Sequence, residues 1–299
     1  MSGWNEQIIK EFRENNGAVG GMFEGAPLVL LTTAGRRTGR PHTTPAVHLR
    51  DGERYLVFAS NAGGPRHPHW YLNLLASPQV TVETAGEHGS VRKLAAQAVP
   101  LEGEERDHWW ERQCQVDPGF REYEAKTDRT IPVVALHPLV LSPGDDRARL
   151  IGQQLLQAHD LLRGQLRDVR ERFAQLAAGE RPGAAPAPGA AEQLRAHCLT
   201  FCHGLHLHHI REDGAFTAFE ERFPDLVPVI TRLRAEHAVI ERALERLADL
   251  LDREPPTGDP AALTALREEV EAAVADLEEH FATEEAHFLP ALEGLAAAS

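Results

Sequence analysis

"HGLHLHHIRED", residues 203–213, sets four histidines and two acids into eleven positions. Leu205, His208 and Glu212 recur at the spacing of one helical face, so a histidine and a glutamate stand in line with the residues that should build a core. A carboxylate costs several kcal/mol to bury unless it is paired or neutralised. Whatever neutralises Glu212 therefore belongs to the design of this part of the chain.

The same pattern spreads outward through the second half. From Leu150 onward the apolar period is helical. Pro/Gly-rich breaks at 178–191 ("AGERPGAAPAPGAA") and 252–260 ("DREPPTGDP"), with "ERFPDL" between them, divide it into four long helices, predicting an all-α up-down-up-down four-helix bundle over 148–299. One stripe runs Leu155, His159, Leu162, Leu166, Val169, Phe173, and the next runs Leu194, Cys198, Phe201, Leu205, His208, Glu212, Phe216. The third runs Ile230, Leu233, His237, Ile240, Leu244, and the fourth runs Val270, Val274, Leu277, His280, Glu284, Phe288. Every stripe contains a histidine, two add a glutamate one turn later, and none offers a lysine or arginine to pair with them. At a rise of ~1.5 Å per residue, His159, His208, His237 and Glu284 all fall about 15–18 Å above one end of the bundle. A bound cation resolves the cost of burying them. Six or seven imidazole and carboxylate ligands are too many for one tetrahedral zinc; they suit iron, with manganese or zinc as alternatives, and two irons bridged by carboxylate and oxygen fit best.

"LHLHHIRED", "RAEHAVIERAL" and "EEHFATEEAHFLPAL" make residues 148–296 resemble the hemerythrin-like HHE family. The resemblance implies a di-iron centre held by His159, His208, Glu212, His237, His280 and Glu284, with the two glutamates as bridges, and O2, peroxide or NO as the small partner. His209 and Glu241, at the edge of the stripes, stay open as further ligands. Oxygen-carrying hemerythrins have a second histidine one turn beyond the first on the third helix; Glu241 stands there, which implies a carboxylate-richer site suited to redox turnover or sensing. His203, His206 and His287 read as lying away from the metal, and Cys198 and Cys202 as helix packing.

The first 140 residues alternate β-rich runs with turns: "PLVLLTTAG", "TTPAVHLRDG", "ERYLVFAS", "QVTVETAG", "KLAAQAVPL" and "IPVVALHPL". Helices are expected in "NEQIIKEFRENN", "HPHWYLNLLASP" and "EERDHWWERQCQV". About six strands with inserted helices predict an α+β domain, residues 1–141, on a small antiparallel barrel. "TTAGRRTGRPHTTP" (32–45) joins two strands through glycines and arginines: either an anion cradle of exposed amides and guanidiniums or a solvated basic hairpin. "SNAGG" (60–64) precedes a helix, where amides could receive a polar ligand edge. Trp70 and Tyr71 read equally well as packing residues.

Together "LLTTAGRRTGRPHTTP", "SNAGGPRHPHWYLNLLASPQVTV" and "EYEAKTDRTIPVVAL" resemble the deazaflavin-dependent nitroreductase family, a split β-barrel fold. The resemblance implies an F420 (8-hydroxy-5-deazaflavin) coenzyme and reduction of quinones or nitro compounds as small-molecule electron acceptors. Arg36, Arg37, Thr38 and Gly39 would hold the coenzyme's phosphate and acidic tail. Ser60, Asn61, Ala62 and Gly63 would face the ring, Trp70 and Tyr123 would flank it, and Tyr123 would be the catalytic hydrogen-bond donor. Where relatives often carry arginine this chain has His42, and where some carry tyrosine it has Phe120. Those departures keep a sensor reading open, in which the barrel binds coenzyme without turnover; FMN is the alternative cofactor. Related barrels often dimerise, which implies a homodimer.

Composition sets outer limits. With 299 residues, 42% hydrophobic and 25% charged, the chain has room for two domains and no apolar run of membrane-spanning length. Residues 1–140 hold 15 basic against 17 acidic residues, leaving 16 against 28 beyond, within a net charge of −14; that balance argues against nucleic acid as a partner. Three cysteines are too few for a disulfide framework, and "MSGWNEQIIKEF" carries no secretory pattern, so a cytoplasmic address is expected.

Overall fold

The computed structural model describes residues 3–86, 89–144, 146–179, 190–253 and 260–298. The breaks expected at 178–191 and 252–260 fall largely outside these residues. The chain divides into two compact units: Met1–Val140 with Ile210–Ala218, and Leu141–His209 with Phe219–Ser299.

Six antiparallel strands close a barrel in the order β1-β2-β3-β6-β5-β4: β1 (Leu28–Ala34), β2 (Pro41–Asp51), β3 (Arg54–Phe58), β4 (Gln79–Ala85), β5 (Val91–Pro100) and β6 (Val133–Pro138). The pairing of Leu30, Leu31 and Thr32 with Glu83, Val82 and Thr81 closes the ring. Alternation assigns the two faces of each strand to different cores. Val29, Leu31, Val57, Val80, Val82, Leu94, Ala96, Val134 and Leu136 form one cluster, which Trp70 and Leu74 of α2 (His69–Ala76) join. The alternate residues Leu28 and Leu30 pack on Ile8, Ile9 and Phe12 of α1 (Gly3–Glu14). Leu56, Phe58, Val133 and Ala135 pack on Trp110 and Cys114 of α3 (Gly103–Val116) and on Phe120 of α4 (Gly119–Ala125). Burial on both faces is why β1 reads as an unbroken apolar run rather than an alternation. Arg13 of α1 clamps Glu83 of β4 with two hydrogen bonds of 2.8 and 2.5 Å, so this buried carboxylate is paired.

His48 on β2 is 9% exposed, with Nδ1 3.1 Å from the Pro27 carbonyl and its ring 5.2 Å from Tyr55. Burial, joined by Arg50, lowers its pKa to about 4, overriding the Pro27 hydrogen bond. The folded value lies below the unfolded one, so the unfolded chain takes up the proton first. Stability is therefore fully present above about pH 6.5 and is lost as pH falls toward 4. The loss at pH 5 is expected to be about 2 kcal/mol. All four tryptophans lie in residues 1–140, so tryptophan fluorescence reports this unit. Urea titrations at pH 7 and 5 should show wild type losing about 2 kcal/mol more than His48→Gln; equal losses would refute the assignment.

The described residues of the second half form four long helices: α5 (Asp146–Gly179), α6 (Ala190–Arg222), α7 (Val227–Arg253) and α8 (Pro260–Ala297). Consecutive helices run antiparallel. Gly204 of α6 lies by Leu162 of α5, while Arg172 reaches Gln193; Glu220 of α6 pairs with Arg234 of α7, while His206 faces Glu241. Leu162, Leu166, Val169, Phe173, Leu194, Phe201, Leu205, Leu244, Val270, Leu277 and Phe281 draw one core from all four. Among the described residues no helix is long and apolar enough to cross a membrane.

Candidate functional site

The bundle core holds the polar cluster. His159, His208, His237, His280, Glu212 and Glu284 are each no more than 8% exposed, as is His209. Their ligand atoms form two groups, each within 4.8 Å: His159, His208, Glu212 and Glu284; and His209, Glu212, His237 and His280. Glu284, wholly buried, divides its oxygens between the groups. Oε2 lies 3.2 Å from His159 Nε2, whereas Oε1 lies 3.4 Å from His280 Nε2 and 3.6 Å from His237 Nε2. The His237 and His280 Nε2 atoms face each other at 3.1 Å.

Two further carboxylates fix which nitrogen points inward. Glu285 lies 2.7 Å from His159 Nδ1 and Glu236 lies 2.8 Å from His280 Nδ1. A carboxylate accepts the Nδ1 proton, leaving the Nε2 lone pair toward the centre, as metal-ligating histidines require. Burial pushes His208 down to about 3, and burial with the neighbouring imidazoles holds His209 and His280 low as well. Burial acts to raise Glu284, but His159, His237 and the other imidazoles bring it below the usual carboxylate range. Neutral imidazoles converging on an ionised carboxylate are the donor set a hard-to-borderline divalent cation needs, so the residues fit iron. Glu285 and Glu236 are absent from the stripes of the sequence reading because each flanks a buried face. Glu241 is half exposed and 3.5 Å from His206 Nδ1, away from this cluster, so the carboxylate-richer site expected from it does not form. His287 is exposed and bonds the Thr283 carbonyl. Cys198 and Cys202 pack in the core, where burial pushes both thiols up to about 12, so neither is a nucleophile at neutral pH.

In the barrel, the residues Ser60–Gly63 follow β3 in a conformation few side chains adopt: Asn61, Ala62 and Gly63 have φ of 49°, 50° and 77°. Gly63 is required there, because a Cβ would lie 2.8 Å from the Tyr123 carbonyl oxygen and 2.9 Å from Lys126 Cβ. That close approach sets α4 and Tyr123 beside the loop. Arg129 braces it, donating to the carbonyls of Ser60 at 2.6 Å, Gly64 at 3.0 Å and Ala59 at 3.1 Å, with His67 Nδ1 3.2 Å away.

The arginine hairpin differs from expectation in one respect. The amides of Arg36, Thr38, Gly39 and Arg40 already bond the Asn73 side chain, Gly35 O, Gly35 O and Thr38 Oγ1. Free amides there do not make a cradle; the exposed guanidiniums of Arg36, Arg37 and Arg40 are what remain for an anion. Asn73, 5% exposed, also donates to Thr33 Oγ1 and so anchors the hairpin from α2. Trp70 is 8% exposed inside the barrel cluster, so its bulk is core. Phe120 is buried, edge-on to Phe58 at 5.7 Å and to Tyr123 at 5.3 Å.

These features define a closed six-stranded barrel with a braced loop beside a tyrosine, and a helical bundle whose core gathers imidazoles and carboxylates that could hold a cation. The chain belongs to the F420H(2)-dependent quinone reductase family, whose model matches residues 4–138, while residues 150–296 match the hemerythrin HHE cation binding domain. An F420H(2)-dependent quinone reductase of Mycobacterium tuberculosis is 35% identical over 129 residues, covering 42% of this chain and 83% of that protein. A solved F420-H2 dependent reductase (FDR-A) is 39% identical, covering 37% of this chain and 94% of its own, with a TM-score of 0.33. A second solved structure, described as a domain-swapped dimer, is 34% identical over 46% of this chain and 98% of its own, with a TM-score of 0.35.

Proposed function

We propose that the chain is a cytoplasmic F420H2-dependent reductase of quinone-type or other small acceptors, fused to a di-iron domain whose small partner is O2, peroxide or NO. The observation that carries the iron reading is Glu284, with one oxygen turned to His159 and the other to His237 and His280. His159, His208, His237 and His280 would hold the ions, with Glu212 and Glu284 as the carboxylates shared between them. The reductase reading rests on the braced Ser60–Gly63 loop beside Tyr123, in a barrel 35% identical to a quinone reductase.

When bound, reduced F420 supplies a hydride and the iron pair supplies one-electron redox chemistry. The protein's part is placement. Arg36 and Arg37 attract the phosphate and acidic tail, with Thr38 and Gly39 shaping the turn that presents them. Ser60, Asn61, Ala62 and Gly63 offer the ring a rigid edge, and Trp70 backs it from the barrel interior. Tyr123 holds the proton that the acceptor oxygen needs alongside the hydride, with the packed Phe120 ring limiting its motion. His42 is the alternative proton donor, though burial and then Arg40 lower its pKa and so disfavour its protonated form at neutral pH. A homodimer completes this reading.

Two measurements test it. Iron analysis of freshly purified protein should give about two ions per chain. Under anaerobic conditions, reduced F420 should be oxidised on addition of menadione. Tight coenzyme binding without turnover would favour a sensor, and preference for FMN in a fluorescence titration would remove the deazaflavin assignment.

A further inference from the structure

We propose that His209 is also a metal ligand, so that five imidazoles and two carboxylates hold the centre and α6 supplies the histidine that α7 lacks. This rests on the di-iron reading above and extends it. Leu205, His208, His209 and Glu212 stand at i, i+3, i+4 and i+7, the positions of one broad helical face, so two adjacent residues can both look inward. His208 and His209 do so, at 8% and 5% exposure.

His209 Nε2 is buried without a hydrogen-bond partner, a costly state for a polar atom inside a core. Its ring lies 4.1 Å from that of His237 at an interplanar angle of 14° and meets His280 edge-on at 5.3 Å. Its ligand atom falls within 4.8 Å of those of His237, His280 and Glu212. The residue one turn beyond His237 is Glu241, turned to His206 at the surface. One metal position thus receives three imidazoles, His209, His237 and His280. The other receives two, His159 and His208, with Glu284 reaching toward both.

The competing role is a core ring that only stacks on His237. His209→Phe separates the two, since it keeps an aromatic ring and removes the donor; His209→Ala with added imidazole supplies the donor without the covalent link. The full chain is loaded anaerobically with iron(II), its fold is checked by circular dichroism, and iron release to a colorimetric ferrous chelator is followed. Wild type and Glu241→Gln should hold about two ions with matching release, while His209→Phe should lose one ion or release it at least ~10-fold faster. Imidazole should slow release from His209→Ala back toward wild type. Wild-type release from His209→Phe, or no effect of imidazole on His209→Ala, overturns the assignment while leaving the di-iron reading intact. A wild-type chain that holds no iron overturns both.

Discussion

A Glu284→Gln variant is expected to retain less than about half an iron per chain, against about two in the wild type, because on the di-iron reading the residue would supply one oxygen to each metal position. Its carboxylate is wholly buried, with three histidine Nε2 atoms 3.2 to 3.6 Å away. Such a group costs several kcal/mol to desolvate, a cost that the surrounding imidazoles offset in part and that a bound cation would offset further. Glutamine matches the shape but offers one acceptor oxygen and no charge, so it cannot link two cations. The effect also appears in stability. At free iron(II) about 100-fold above Kd, binding adds ~2.7 kcal/mol to the folded state, which for a unit of this size raises Tm by roughly 5–10 °C. Wild type should show that rise and Glu284→Gln should not, whereas Glu241→Gln, altered at the surface, should keep it. A Glu284→Gln chain that binds two irons with the full thermal shift would remove the bridging role.

What could be read from sequence depended on whether the signal was local. The six strands are legible because β1, β3 and β6 are nearly continuous buried runs and the others are β-rich stretches, all ended by turn residues. The buried polar cluster is legible because His159, His208, His237 and His280 interrupt stripes that otherwise hold Leu, Phe and Val. The width of the stripe was harder to judge. Phe281, stacked on His159 at 4.2 Å, and His209 both sit beside a residue already assigned to the buried face. Helix α4 has no legible signal, since "GFREYEA" buries only Phe120 and shows no period, yet it carries Tyr123. Glu236 and Glu285 act on Nδ1 atoms of other helices, and Asn73 reaches a hairpin 37 residues away. Such bonds are fixed by tertiary geometry, which no spacing rule encodes. The hairpin's amides make the opposite case: composition suggested an anion cradle, but the turn consumes most of its own donors.

Arg129 belongs to the same unread class, and Arg129→Ala is expected to destabilise the barrel by about 3 kcal/mol while weakening coenzyme binding at least ~10-fold. Its guanidinium meets three carbonyls, of Ala59, Ser60 and Gly64, and Ala59 is wholly buried. Removing the donors leaves acceptors that solvent reaches poorly, each at a cost of about 1–3 kcal/mol before relaxation. The loop they hold is already strained, since left-handed backbone at Asn61 and Ala62 costs roughly 1–2 kcal/mol per residue. Without the brace, Asn61 and Ala62 should relax to negative φ and move the edge proposed to meet the ring. His67, lowered by burial and then by Arg129 itself, stays neutral and accepts the remaining N–H, so it cannot take over the role. Arg129→Lys keeps the charge but presents a single ammonium where a planar fork spans several acceptors, so it should recover only a small part of either loss. Urea unfolding followed by tryptophan fluorescence measures the first loss and F420 fluorescence titration the second. If Arg129→Ala lost stability but bound F420 as wild type does, the Ser60–Gly63 loop would be a structural turn rather than the edge that meets the coenzyme.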